Sequence, residues 1–225
     1  MLSLVNSNIQ FSYILQISTN PSELTLLELL LKGGFIMYPI AILFMVVFYI
    51  SIERMLYLKH STKRRSDFID LIKSHLKAGD ANGAKLVAEH FSSSTGKIIR
   101  YGLDSLGKPM RDIEAVLESA TNIEIAKMER NMNYLGIIAG IAPMLGFIGT
   151  ISGIIRIFYD ISLSDNISIG IIAGGLYEKM ITSGSGLVVG VIAYTAYHLL
   201  HARIQRFALD IQKDAFDFTQ SLHHK

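Results

Sequence analysis

The chain has no cysteine among its 225 residues. That removes disulfide staples, thiolate nucleophiles and cysteine-ligated zinc. No basic residue precedes Lys32, and no small-residue cleavage pattern follows an early apolar run, so a cleaved secretory leader is not expected. Phosphate-binding glycine loops, a hydrolase elbow and a metal-binding helix are missing. Low-complexity tracts and short internal repeats are missing too. The formal net charge is only +2, which gives no ground for a nucleic-acid partner. No cofactor or resident metal is expected.

What the chain has is apolar length. Half of its residues are hydrophobic, and three stretches exceed what a soluble core helix needs: Phe35–Ile52, Tyr134–Phe158 and about Ile169–Leu200. Crossing the hydrocarbon core takes about 20 largely apolar residues. Basic residues crowd the segment between the first two runs, from Lys59 to Arg130, and return after the third as Arg203, Arg206, Lys213 and Lys225. Lysine and arginine near span ends stay on the cytoplasmic side. The expected topology is an outside N-terminus, three spans and a cytoplasmic tail.

The expected organisation follows from this pattern. Residues 1–34 form an outer segment in which Asn20, Pro21 and Glu23 start a surface helix and Gly33-Gly34 ends it. Span one covers residues 35–56 and a cytoplasmic helical region residues 57–133. Span two covers 134–158, a short outer loop 159–173, span three 174–200, and a cytoplasmic amphipathic helix 201–225. Within the cytoplasmic region Ser66 is placed to cap a helix over Asp67–Lys77, and Asp80 one that runs to His90. A third is expected over Thr95–Leu106. From Pro109 the pattern of Ile113, Leu117, Ala120 and Ile123 predicts one long helix continuing into span two. The fold class is all-α, with three membrane spans and long cytoplasmic helical extensions.

Chemistry concentrates in spans two and three. Gly136, Gly140, Gly146, Gly149 and Gly153 recur at steps near three and four, a spacing that lets helix backbones approach closely in lipid. Pro143 removes one backbone donor inside this helix. Thr150 sits one turn after Gly146; its plainer reading is a hydroxyl bonded to its own helix. In span three Glu178, Thr182 and the Ser185-Gly186 step share a face, with Ser183 on the flank. An ionisable group within a span costs several kcal/mol and is a functional hypothesis by default. The plainer reading puts Glu178 and Lys179 at the outer interface, snorkelling. His198 and His201, one turn apart, fit an interfacial role better than a metal pair. Two spans with small, hydroxylated faces suggest a polar path for a proton or small cation.

These residues resemble the MotA/TolQ/ExbB proton-channel family, specifically its three-span ExbB/TolQ branch. Gly33-Gly34 with Met37 and Pro39, then Glu53-Arg54, resembles that branch's first span. Ala142-Pro143-Met144-Leu145-Gly146-Phe147-Ile148-Gly149-Thr150 is similar to its most specific motif, and Glu178 through Tyr197, with Gly186-Leu187, to its third span. The resemblance covers about Leu24 to His201. It implies a homopentamer around a dimer of single-span ExbD/TolR-like subunits, each bearing a proton-carrying aspartate. It also implies a TonB-like or TolA-like protein that transmits the work, in the inner membrane of a Gram-negative bacterium. By position Thr150 and Glu178 match family residues. The third-span threonine falls at Ser183, with Thr182 beside it as the alternative. A proline usual in the third span is Ile192 here. The implied activity is proton flow coupled to rotation. A passive membrane scaffold is the competing class. A membrane-embedded enzyme is not expected, because it would need several clustered polar residues.

Overall fold

The computed structural model describes residues 34–62, 67–163 and 169–223. Every regular element among them is a helix: α1 Met37–Ser61, α2 Phe68–Lys77, α3 Ala81–His90, α4 Ser94–Asp104, α5 Met110–Glu129, α6 Met132–Ser162 and α7 Ile169–His223. Three are long and apolar enough to cross a membrane: Met37–Ser61, Met132–Ser162 and, within α7, Ile172–Leu222. Their outward faces are apolar. Phe44, Phe48 and Tyr49 on α1, Phe147 and Ile155 on α6, and Val188 and Val191 on α7 are all exposed. Side chains of this kind in such numbers suit lipid as the surrounding solvent.

The local starts and stops follow side-chain chemistry. The Asp80 carboxylate accepts from Gly83 N at 2.8 Å and so caps α3. That bond, and His75 beside it at 3.1 Å, hold the Asp80 carboxyl below the usual carboxylate range. Ser93 does the same for α4 by accepting from Gly96 N. Asp67, not Ser66, occupies the N-cap position of α2, and its side chain makes no cap bond. Ser66 lies outside the described residues, as do the expected surface helix before Gly33 and loop residues 164–168.

Two features depart from the sequence expectation. The long helix from Pro109 does not run unbroken into span two. Arg130 is extended, with φ −51° and ψ 134°, and Asn131 takes φ 65°. Asn is one of the few non-glycine residues that tolerate the left-handed region. In contrast, α7 continues for 55 residues with no break where the third span was expected to end at residue 200. No glycine or proline follows Gly190 to stop it. Helix also reaches into the expected outer loop from both sides, to Ser162 and from Ile169.

The described residues group into two compact units. The first joins the stretch ending at Ala41 to Met144–Gly186; the second joins Ile42–Pro143 to Leu187–Lys225. The second unit has a core of large side chains. Ile72, Ile98, Ile99, Leu103, Leu117 and Met128 are buried, and Phe68 stacks on Phe91 with centroids 4.5 Å apart. The distal part of α7 contributes a buried stripe at Ile204, Phe207, Ile211, Asp214 and Phe218. Its steps of three and four match one face of a helix. Gly102 admits this stripe: a Cβ there would lie 2.8 Å from Leu117 Cδ2 and 3.0 Å from Phe218 Cε1.

One buried polar node ties this unit together. Glu124 is almost wholly buried. It accepts from Ser94 Oγ at 2.7 Å and from Lys127 Nζ at 2.6 Å. Burial alone would push its carboxyl up, but the bonds from Lys127 and Ser94 outweigh it and hold the group below the usual range. The same pairing raises the Lys127 ammonium. Arg54, buried on α1, donates to the Lys127 carbonyl at 3.0 Å, pairs with Glu53 and lies 4.9 Å over the Tyr57 ring.

Candidate functional site

In the first unit α6 meets α7 through glycines. A Cβ on Gly146 would lie 3.0 Å from the Ser183 carbonyl oxygen and 3.1 Å from its Cα. One on Gly149 would lie 2.7 Å from Thr182 Cγ2. One on Gly153 would overlap the Lys179 stem, 2.1 Å from both Cγ and Cδ. Real Cβ atoms do not come as close as at Gly149 and Gly153, and rarely as close as at Gly146, so each glycine is a notch filled from the facing helix. In lipid, with no hydrophobic effect between helices, close backbone approach is how they gain contact. Gly175 serves in reverse, seating Ile157 of α6.

The hydroxyls occupy different positions. Thr182 is fully buried; its methyl fills the Gly149 notch, and its hydroxyl donates to the Glu178 carbonyl at 3.2 Å. Ser183 is half-buried, with its backbone against Gly146. Thr150 is half-buried and donates to the Phe147 carbonyl at 2.6 Å. That is its own helix, three residues back, and it leaves the oxygen's lone pairs free to accept. Adjacent residues on a helix diverge by about 100°, so Thr182 facing α6 turns Ser183 aside.

Glu178 and Lys179 form an ion pair at 2.8 Å. The Lys179 side chain is 19% exposed and that of Glu178 37%. Gly34, with φ +75°, lies against the pair; a Cβ there would lie 3.0 Å from Glu178 Oε1 and 3.4 Å from Lys179 Nζ.

In the second unit the same two helices approach at other points. A Cβ on Gly190 would lie 2.6 Å from Pro143 Cγ and 3.1 Å from the Ala139 carbonyl oxygen. Gly136 is in ordinary contact with the Tyr197 ring, while Gly140 faces open space. Gly186, which belongs to the first unit, is buried. The Tyr197 ring stacks on His201 and meets His198 edge-on, and His201 lies 3.7 Å from Glu129.

The sequence points to the α6 glycines but not to Gly175 or Gly190, and it places Lys179 only at an interface beside Glu178. Gly186 and Gly190 form a small-xxx-small step, which was a usable signal. Nothing in the sequence pairs Lys179 with Gly153, because that contact depends on how two helices are rotated.

Comparison with known proteins agrees with the helix pattern. Residues 90–213 match the MotA/TolQ/ExbB proton channel family. A protein of Methanothermobacter thermautotrophicus named as a biopolymer transport protein ExbB homolog is 30% identical over 181 residues, covering 80% of this chain and 64% of that protein. A Synechocystis protein named as ExbB-like 1 is 26% identical over 200 residues, covering 85% and 78%. The Tol-Pal system protein TolQ of Haemophilus influenzae is 29% identical over 106 residues, covering 47% and 46%. The chain thus spans less than two thirds of the first and third of these relatives. The family match runs from the end of α3, through all of α6 and its glycine notches, to a point well along α7, and the chain belongs to the MotA/TolQ/ExbB proton channel family.

Proposed function

We propose that this protein is the three-span, channel-forming subunit of an ExbB–ExbD-like inner-membrane motor that couples proton motive force to TonB-dependent outer-membrane transport. The observation that carries the reading is the family match over α6 and α7, the two helices that hold Thr150, Glu178, Thr182 and Ser183. In this reading five copies surround two single-span partner helices. Each partner helix brings an aspartate that takes and releases a proton, and the N-terminus faces the periplasm. One charge crossing 100 mV releases about 2.3 kcal/mol, enough to drive stepwise rotation over repeated events.

The buried packing of Thr182 supports Ser183 and Thr150 as the hydroxyls that meet the partner's aspartate. A half-buried hydroxyl with spare lone pairs can orient water or accept a bond from a protonated carboxyl. Glu178 forms the outer polar point of the pathway. The test is proton flux in liposomes carrying the complex purified with its single-span partner. Thr150→Val and Ser183→Ala each abolish flux while the complex stays assembled; Thr182→Ser preserves it. Unchanged flux in both loss variants would remove these hydroxyls from the pathway. Flux that does not need the partner would remove the partner's aspartate from the pathway; no flux at all would favour a passive scaffold.

A TolQ-like role in the Tol-Pal envelope system is the second reading, favoured by the match to the Haemophilus TolQ. Purification with operon partners decides it: a TonB-like transducer supports the first reading and a TolA-like one the second. Native mass spectrometry of the same sample reports the subunit number.

A further inference from the structure

Glu178 and Lys179 are adjacent in sequence, yet the structure spends two glycines on different elements to keep their side chains together. The Lys179 stem lies in the notch at Gly153, where a Cβ would be 2.1 Å from Cγ and Cδ and 2.2 Å from Cε. The ammonium lands 2.8 Å from Glu178 Oε1. Gly34 closes on both charged ends from the segment before α1. A snorkelling lysine would instead carry its ammonium away to the interface. Here the stem is folded into the protein and the side chain is only 19% exposed.

We infer that Lys179, seated in the Gly153 notch, is a tethered counter-cation that keeps metal cations off the Glu178 carboxylate and so makes the pathway selective for protons over sodium. The inference rests on the ion-pathway reading above. An unpaired carboxylate beside a channel recruits cations, and a hard cation such as sodium binds through several oxygen ligands. A lysine ammonium is a compact point charge with three donors. Held on the same chain, it competes at a high effective concentration and neutralises the carboxylate before a free cation arrives. A proton is not hindered in the same way. It moves by exchange of hydrogen bonds among hydroxyls, water and the partner's carboxyl, and needs no vacant carboxylate. Glycine at position 153 is the permissive element, because any Cβ there displaces the stem and carries the ammonium off Glu178.

The test uses the complex purified with its partner in liposomes, measuring proton flux and sodium uptake under separate gradients. The unaltered complex is expected to pass protons and almost no sodium. Lys179→Met is expected to raise the ratio of sodium to proton flux severalfold, up to about fivefold, the scale of one partly exposed ion pair. Lys179→Arg should keep the original ratio, since it restores the charge on a similar stem. Gly153→Ala leaves both charges in the sequence but moves the stem, and should behave like Lys179→Met; combining the two should add nothing. If Lys179→Met does not assemble, the ratio in Gly153→Ala decides. An unchanged ratio in a variant that still conducts protons, or free sodium passage in the unaltered complex, overturns the inference and leaves the ion-pathway reading standing. An unaltered complex that carries no ion overturns both.

Discussion

The helical region of the second unit that gathers α2–α5 and the distal part of α7 is packed by means opposite to those of the first unit. In the second, the α2–α5 region and the distal part of α7 bury Ile72, Leu103, Leu117, Met128 and Phe218. In the first, α6 and α7 meet over Gly146, Gly149 and Gly153, with small or folded side chains in the notches. The difference follows the solvent. Where water surrounds the helices, burying large apolar groups supplies the driving force, at about 25 cal/mol per Å². Where lipid surrounds them, a leucine gains little by leaving it, and contact comes from letting backbones touch. The same chain therefore uses its bulk in one place and its glycines in the other.

The comparison can be broken most severely at Phe218. It is fully buried and packs where Gly102 makes room. Phe218→Ala should cost about 3–5 kcal/mol, read as a large drop in the apparent melting temperature of the purified complex. Next comes the buried carboxylate. Glu124→Ala leaves Ser94 without its acceptor and Lys127 without its partner and should cost about 2 kcal/mol. Because the folded carboxyl is held below its usual value, the Glu124 contribution is fully present above the unfolded-state value near 4.5. It is lost as pH falls through the lower, folded value. Melting curves of the unaltered and Glu124→Ala complexes should therefore converge on acidification.

The lipid-type packing gives a smaller effect with a sharper signature. Gly149→Ala places a methyl 2.7 Å from Thr182 Cγ2 and should cost about 1–2 kcal/mol through overpacking. Thr182→Ser removes the opposing methyl, so the double variant should recover most of the loss. A double variant no better than Gly149→Ala alone would show that the notch is not what limits the approach. The smallest expected change is Asp80→Ala, which removes an exposed cap from α3 and should lower the melting temperature only slightly.

Several elements were legible in advance because their causes are local. A run of apolar residues announces a span wherever it lies, and the runs beginning near Phe35, Tyr134 and Ile169 correspond to α1, α6 and α7. Asp80 ahead of α3 announces a cap for the same reason. Gly79 and Gly107, just beyond the ends of α2 and α4, both adopt positive φ, as a glycine after a helix readily does. The break at Asn131 was not legible. Its neighbours Arg130 and Met132 carry no turn signal, and asparagine is tolerated in helices as well as in the left-handed region. The continuity of α7 past residue 200 is hidden in the sequence because an amphipathic pattern follows an apolar one, and a change of solvent looks there like a change of element.

The sequence by itself determined the class of the protein, its three helices long and apolar enough to cross a membrane, and the pair of these in which hydroxyls and glycines gather. These follow from composition and period, which act over one or two turns. Only the tertiary structure decided what each polar side chain in those spans faces. Thr182 and Ser183 are neighbours with the same functional group, yet one fills a notch in α6 and the other stands beside it. Glu178 and Lys179 read as a pair at an interface until Gly153 and Gly34 are seen to enclose them. A helix's rotation about its own axis is set by the helix it packs against, and that partner lies some thirty residues away in the chain, about eight turns of helix.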